Sequence, residues 1–127
     1  MKKLLPILMV MLLLVGCSAP AESRSYRQIN MSDAIAMMEE KTDYIILDVR
    51  TAEEFKEKRI PGAINIPNET IGTEEIPELP DKDQLTLVYC RSGNRSKQAS
   101  EKLAALGYTS IVEFGGINDW PSETVSG

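Results

Sequence analysis

Cys90 closes an apolar run, Leu85 to Tyr89, and opens the segment Arg91, Ser92, Gly93, Asn94, Arg95, Ser96. A small, polar, glycine-containing turn between a strand and a helix lets successive backbone N–H groups point inward as an anion-binding nest, and the helix N-terminus adds partial positive charge. A thiol placed there ionises readily. Free cysteine titrates at ~8.5, and helix N-termini with nearby cations commonly lower that value. Arg91 and Arg95 add two guanidinium groups able to meet an oxyanion bidentately. A lone cysteine is more often an inert buried hydrophobe, but such a residue has no reason to end a strand and open an Arg-Ser-Gly-Asn-Arg-Ser turn. The chemistry expected is nucleophilic attack by a thiolate on a small anion, with Cys90 as nucleophile and residues 91 to 96 as binding groups.

That chemistry has to run without imidazole. The 127 residues contain no histidine and two cysteines, which excludes Cys-His and Ser-His-Asp machinery and a disulfide scaffold, and leaves too few soft ligands for a structural zinc site. No metal or cofactor is expected. With 19 acidic against 14 basic side chains the net charge is −5, without the basic excess of a nucleic-acid binder. The length suits a single domain.

The elements that must position the thiol are readable in order. Tyr26 to Ile29 is a short strand. Asn30 with Asp33 forms the start of a helix that carries Ala34, Ile35 and Met38 on one face. Tyr44 to Val49 is a strand buried on both faces, interrupted only by Asp48. Thr51 and Glu54 make a capping box for a short helix with Phe55. Ala63 to Ile66 is a third strand between Pro61-Gly62 and Pro67. Residues 68 to 83 are mostly loop. Leu85 to Tyr89 is a fourth strand, Ser96 to Leu106 a helix ended by Gly107, and Ser110 to Phe114 a fifth strand. This alternation predicts an α/β fold with a mostly parallel five-stranded sheet, whose ligand site lies at the carboxyl ends of the strands, where Asp48 and Cys90 stand. Asp48 and Arg50 are expected to fix loops, Pro61-Gly62 to make a turn, Gly115-Gly116 to permit close backbone approach near the Cys90 loop, and Trp120 to anchor the core. The acids Glu74, Glu75, Glu78, Asp81 and Asp83 read as a solvated loop.

The first residues differ in composition from the rest. Lys2 and Lys3 precede the apolar stretch Leu4 to Val15, which at ~1.5 Å per residue spans ~18 Å, short of the ~30 Å hydrocarbon core. It reads as an export signal, residues 1–16. The run Leu14, Val15, Gly16, Cys17 resembles the bacterial lipobox, which implies cleavage before Cys17 and a diacylglyceryl group on that thiol. The remaining 111 residues, with 12 basic and 19 acidic side chains and a formal charge of −7, have no electrostatic reason to lie on anionic lipid. The lipid would then be a tether, with residues 17–25 as linker and residues 26–127 as the folded domain, standing outside the cytoplasm on a bacterial membrane.

Several separate pieces together resemble the rhodanese-like family: Leu47-Asp48-Val49-Arg50, Glu54-Phe55, Ile60-Pro61-Gly62-Ala63-Ile64-Asn65-Ile66-Pro67, the Cys90 loop, and Gly115-Gly116 with Trp120. The resemblance covers about residues 26 to 121. It implies a three-layer α/β/α domain, Cys90 as the sulfur-accepting nucleophile, and the amides of residues 91 to 96 as its cradle. Related phosphatases and arsenate reductases carry cysteine, five residues, then arginine. Here the sixth residue after Cys90 is Ser96 and the arginine comes one place earlier, at Arg95, so the loop resembles the sulfurtransferase version. Arg59 stands where relatives often have histidine, Lys58 where glycine is common, and the segment after Trp120 is shorter than usual, which puts the completeness of the pocket wall in question.

The activity implied is sulfur transfer from thiosulfate or a related small anionic donor to a thiol or cyanide acceptor through a Cys90 persulfide, by a monomer that binds no nucleic acid. Two other readings use the same residues. One is a non-enzymatic sulfane-sulfur carrier or thiol-redox module; the other is a phosphatase or arsenate reductase, which the loop length disfavours.

Overall fold

The computed structural model describes residues 25–127; the expected signal segment, Cys17 and most of the linker lie outside them. Asn30 caps helix α1 (Met31–Glu40), its side chain accepting from the Asp33 amide. A capping box of Thr51 and Glu54 starts α2 (Ala52–Glu57), as a Ser/Thr followed three residues later by Glu should. The third helix, α3 (Asn94–Ala105), begins two residues before Ser96, because Gly93 adopts a left-handed conformation, φ +119°, and turns the chain into the helix early. Glycine takes that conformation without a Cβ clash.

Five strands form one sheet in the order β1-β5-β4-β2-β3, with β1 Arg27–Gln28, β2 Ile45–Asp48, β3 Ile64–Asn65, β4 Thr86–Cys90 and β5 Ile111–Gly116. Every pairing between them is parallel. The fold is thus α/β, with the two central strands, β4 and β2, ending at Cys90 and Asp48. Between β4 and β5 the register slips, from Val88 opposite Glu113 to Cys90 opposite Gly116. The slip is a bulge of one extra residue on β5, where Gly115 has φ +100°, and it bends the strand toward the loop that follows Cys90.

Because side chains alternate along a strand, the sheet feeds two cores. Leu47, Val49, Val88, Cys90 and Ile111 face Ala99 and Leu103 of α3. Ile46, Leu87, Tyr89, Val112 and Phe114 face Ala34, Met31, Met37 and Met38 of α1. Residues 68 to 83 are largely irregular, with a 3-10 turn at Asn68–Thr70, yet they supply Ile71, Ile76 and Leu79 to the α3-side core, while Glu74, Glu75, Glu78, Asp81 and Asp83 stay exposed. Trp120 is half-buried against the α1-side core, and its Nε1 donates to the Glu123 carbonyl at 2.9 Å.

The segment after Trp120 folds back on α2. Val125 bridges Arg59 in antiparallel fashion, and the Gly127 amide donates to the Lys56 carbonyl at 2.9 Å. Arg59 lies over the Phe55 ring, 4.6 Å from its centroid, and donates to the Phe55 and Gly127 carbonyls. Arg59 therefore staples the tail to α2.

Asp48 and Arg50 form a buried ion pair, 0% and 3% exposed, at 2.6 Å. Arg50 also donates to the Lys58 carbonyl, Tyr89 Oη donates to Asp48 Oδ2 at 2.7 Å, and the Ile60 amide donates to Tyr89 Oη. Burial, together with the hydrogen bond to Asp48, pushes the Tyr89 hydroxyl well above its ordinary range. This network ties β2 and β4 to the loop on either side of α2. Asp48→Asn keeps the shape but leaves Arg50 buried without a counter-charge, so we expect a loss of ~3–5 kcal/mol in unfolding free energy. The denaturant midpoint reads it, and an unchanged midpoint would show that the pair does not hold this loop.

Candidate active site

The Cys90 side chain sits at the carboxyl end of β4 and is 1% exposed. Its Sγ accepts from the Gly93 amide at 3.0 Å and lies 3.4 Å from Ser96 Oγ. Burial pushes the thiol up, but hydrogen bonding around the sulfur, with the Ser96, Gly93 and Ser92 amides as donors, outweighs it and holds the group below its ordinary value. The backbone nest expected from the sequence is therefore present around the sulfur, at the first turn of α3.

The loop is held in shape from outside by β5. A Cβ on Gly116 would lie 1.9 Å from the Arg91 carbonyl oxygen and 2.5 Å from the Ser92 nitrogen, so only glycine fits beside the loop backbone. The Asn118 amide donates to that same Arg91 carbonyl at 3.1 Å. The close approach expected of Gly115-Gly116 is located at Gly116, while Gly115 serves the bulge.

Of the residues from Arg91 to Ser96, Ser92, Gly93 and Ser96 are brought to the sulfur, Asn94 is the first residue of α3, and the two arginines meet a carboxylate of the protein itself. Arg91 Nη2 donates to Glu54 Oε2 at 2.7 Å. Arg95 donates to Glu54 Oε1 at 2.8 Å and to Oε2 at 3.1 Å. Hydrogen bonds from Arg95 first, then from the Thr51 amide, Arg91 and the Thr51 hydroxyl, outweigh burial and hold the Glu54 carboxyl far below the usual carboxylate range. Arg95 is in turn raised, chiefly by its bond to Glu54 and less by the charge of Cys90. The cap of α2 thereby doubles as the clamp of the Cys90 loop.

Two carboxylates at the site were not assigned to it from sequence. The sequence marks Glu54 as a helix cap and, with Phe55, as one piece of the family resemblance, but nothing local says that residues 37 and 41 positions later will reach it. Glu113 is 2% exposed, and its Oε2 accepts from Ser96 Oγ at 2.5 Å. An acid inside the apolar run Ile111 to Phe114 is the signal by which the sequence could have revealed it, because a buried acid needs partners.

The sequence matches the Rhodanese-like domain family over residues 30–123. The chain belongs to the rhodanese-like family. It is 37% identical over 81 residues to the thiosulfate sulfurtransferase PspE of Escherichia coli, covering 64% of this chain and 78% of that protein. Among solved structures, a rhodanese with anions from E. coli superposes with a TM-score of 0.60 at 38% identity, covering 66% of this chain and 99% of the other. A rhodanese-related protein from Thermoplasma volcanium gives 0.65 at 33% identity, covering 79% and 98%. The rhodanese-like fold accounts for the parallel sheet and for the position of the Cys90 loop at its carboxyl edge.

The Glu54 clamp generates a pH dependence. A carboxyl whose folded value is depressed stabilises the protein above its unfolded value of ~4.3, and that contribution disappears as the pH falls through the folded value. We expect the melting temperature of the wild type to drop more steeply than that of Glu54→Gln below about pH 5. Parallel melting curves for the two proteins would refute a stabilising clamp.

Proposed function

We infer that the protein is a sulfurtransferase that carries sulfane sulfur on Cys90. The observation that carries this reading is the Cys90 sulfur held by the amide nest of a six-residue loop, residues 90 to 95, at the N-terminus of α3. The Cys90 thiolate attacks the outer sulfur of thiosulfate or a related small anionic donor. The donor S–S bond breaks, its electron pair leaves with sulfite, and a persulfide remains on Cys90. The amides of residues 91 to 96 stabilise the anionic groups during this exchange. Arg91 and Arg95 contribute positive potential at the mouth, with Glu54 fixing their positions. Cyanide or a thiolate acceptor then attacks the outer sulfur, and the electron pair of the breaking bond returns to Cys90. In every step the attacking group is already an anion and the leaving group departs as one, so no proton has to be moved and no histidine base is needed.

The test is cyanolysis across donors, paired with intact mass after donor treatment. Wild-type protein should gain the mass of one sulfur atom and turn thiosulfate over. Cys90→Ser should do neither while melting normally, since a hydroxyl stays un-ionised at neutral pH. Turnover retained in that variant would sink the assignment, and loading without turnover would favour a carrier.

The domain is proposed to work as a monomer tethered by lipid on Cys17 to a bacterial membrane, outside the cytoplasm. The Leu14-Val15-Gly16-Cys17 run and the net acidity of the rest support this. Each buried methylene of an acyl chain contributes ~0.8 kcal/mol, and stable anchoring takes more than one chain. Cys17→Ser should therefore release the protein from the membrane fraction and abolish incorporation of labelled fatty acid. Membrane retention by that variant would remove the lipid tether.

A further inference from the structure

Glu113 is a buried carboxyl that the sulfur relay does not use. It projects from β5 toward α3, on the same side of the sheet as Val88, its register partner. Its Oε2 accepts from Ser96 Oγ at 2.5 Å and from the Gly115 amide at 3.0 Å, and its Oε1 lies 3.4 Å from Gln28 Nε2 on β1. Ser96 Oγ in turn lies 3.4 Å from Cys90 Sγ. Cys90, Ser96 and Glu113 thus form a line of three groups below the loop, with the hydroxyl in the middle.

A serine hydroxyl has one hydrogen to give and two lone pairs with which to accept. Around Ser96 that hydrogen has four acceptors within reach: Cys90 Sγ, Glu113 Oε2, and the carbonyls of Gly93 and Gly115. The contact to the Glu113 carboxyl outcompetes the others because it is the shortest of the four, 2.5 Å against 3.0 to 3.4 Å, and hydrogen-bond strength falls steeply with distance. A hydroxyl committed to Glu113 turns a lone pair to the sulfur. It then suits the thiol, which donates, and not the thiolate, which needs a donor.

We propose that Glu113 is a positioning residue that holds the single Ser96 proton away from Cys90 and so restrains thiolate formation in the resting site. When the thiol ionises, its proton goes to solvent, and the one hydroxyl proton is left between two acceptors, the thiolate and the Glu113 carboxyl. The thiolate then rests on the backbone amides alone unless Ser96 swings from Glu113. This reading deepens the proposed role of Cys90 and rests on it. The other polar and charged groups on the elements packed around the line are Tyr26, just before β1, Gln28 on β1, Glu101 and Arg95 from α3, Arg91 from the loop, and Glu54 from α2. None of them contacts Ser96 Oγ among the described hydrogen bonds, which is why the hydroxyl is the discriminating link.

The experiment follows the rate of Cys90 alkylation by iodoacetamide against pH. It reads the thiol alone and does not depend on any sulfur donor, so a failure to transfer sulfur leaves it interpretable. Glu113→Gln removes the charge at constant shape, and its amide can donate to Ser96 Oγ, which frees the hydroxyl for the sulfur. The midpoint should fall by about one pH unit, giving ~tenfold faster alkylation at a pH below both midpoints. Glu113→Asp keeps the charge but withdraws the carboxylate by one methylene, and it should lower the midpoint too. In a Ser96→Ala background neither substitution should move it. An unchanged or raised midpoint in Glu113→Gln would overturn the proposal. So would a fall in Glu113→Gln with none in Glu113→Asp, or a fall that persists without Ser96, since either would assign the effect to charge acting through space. Should Glu113→Gln not fold, Glu113→Asp with and without Ser96 decides the matter.

Discussion

The site depends on a contact in which a side chain is absent. Gly116 brings the β5 backbone so close to the Cys90 loop that a single Cβ would overlap the Arg91 carbonyl. With that carbonyl also taken by the Asn118 amide, the loop has little freedom on its outer side, and its remaining amides turn inward to the sulfur. Gly93, with φ +119°, completes the turn. Two glycines thus convert a strand end and a helix start into an anion cradle. A larger residue at 116 would have to displace the backbone that makes the cradle, because close-packed interiors do not absorb added volume without strain.

Charge is distributed around this cradle in an unexpected way. Two arginines beside a cysteine suggest direct control of its acidity, yet the favourable partners of the sulfur are the amides of Ser92, Gly93 and Ser96. Arg91 and Arg95 are bound to Glu54. Short-range hydrogen bonds aimed at the sulfur are worth more than guanidinium charges already matched by a carboxylate, whose field at the sulfur is partly cancelled. The arginines thus brace the loop against α2 through Glu54, and the amides set the state of the thiol.

Buried polar groups supply the rigidity that this division requires. The Asp48–Arg50 pair, with Tyr89, fixes the loop around α2, and α2 presents Glu54. A buried ion pair is weak evidence for net stability, since desolvation offsets much of its attraction, but removing one partner is costly. Its use here is positional: it places the Thr51–Glu54 cap where both arginines reach it. Asn65 reinforces the same loop by donating to the Asp48 and Arg50 carbonyls.

Much of this molecule is written locally. Asn30 with Asp33 and Thr51 with Glu54 announce helix starts because capping is satisfied within three residues. The apolar runs ending at Asp48 and Cys90 announce central parallel strands, and the Arg-Ser-Gly-Asn-Arg-Ser turn after Cys90 announces an anion site. What the sequence left open are pairings between segments distant along the chain. That Glu54 would meet Arg91 and Arg95, and that Glu113 would lie under Ser96, depends on β4 sitting between β2 and β5 and on a one-residue bulge in β5. The start of α3 moved from Ser96 to Asn94 for a related reason: Gly93 takes up its left-handed turn in the space that β5 leaves beside the loop. Local hydrogen bonds and side-chain periodicity can be counted along a chain, whereas the partner of a buried charge is chosen by which strands become neighbours. In this chain the nucleophile and its nest belong to the first kind of information, and the carboxylates that hold the nest and its serine belong to the second.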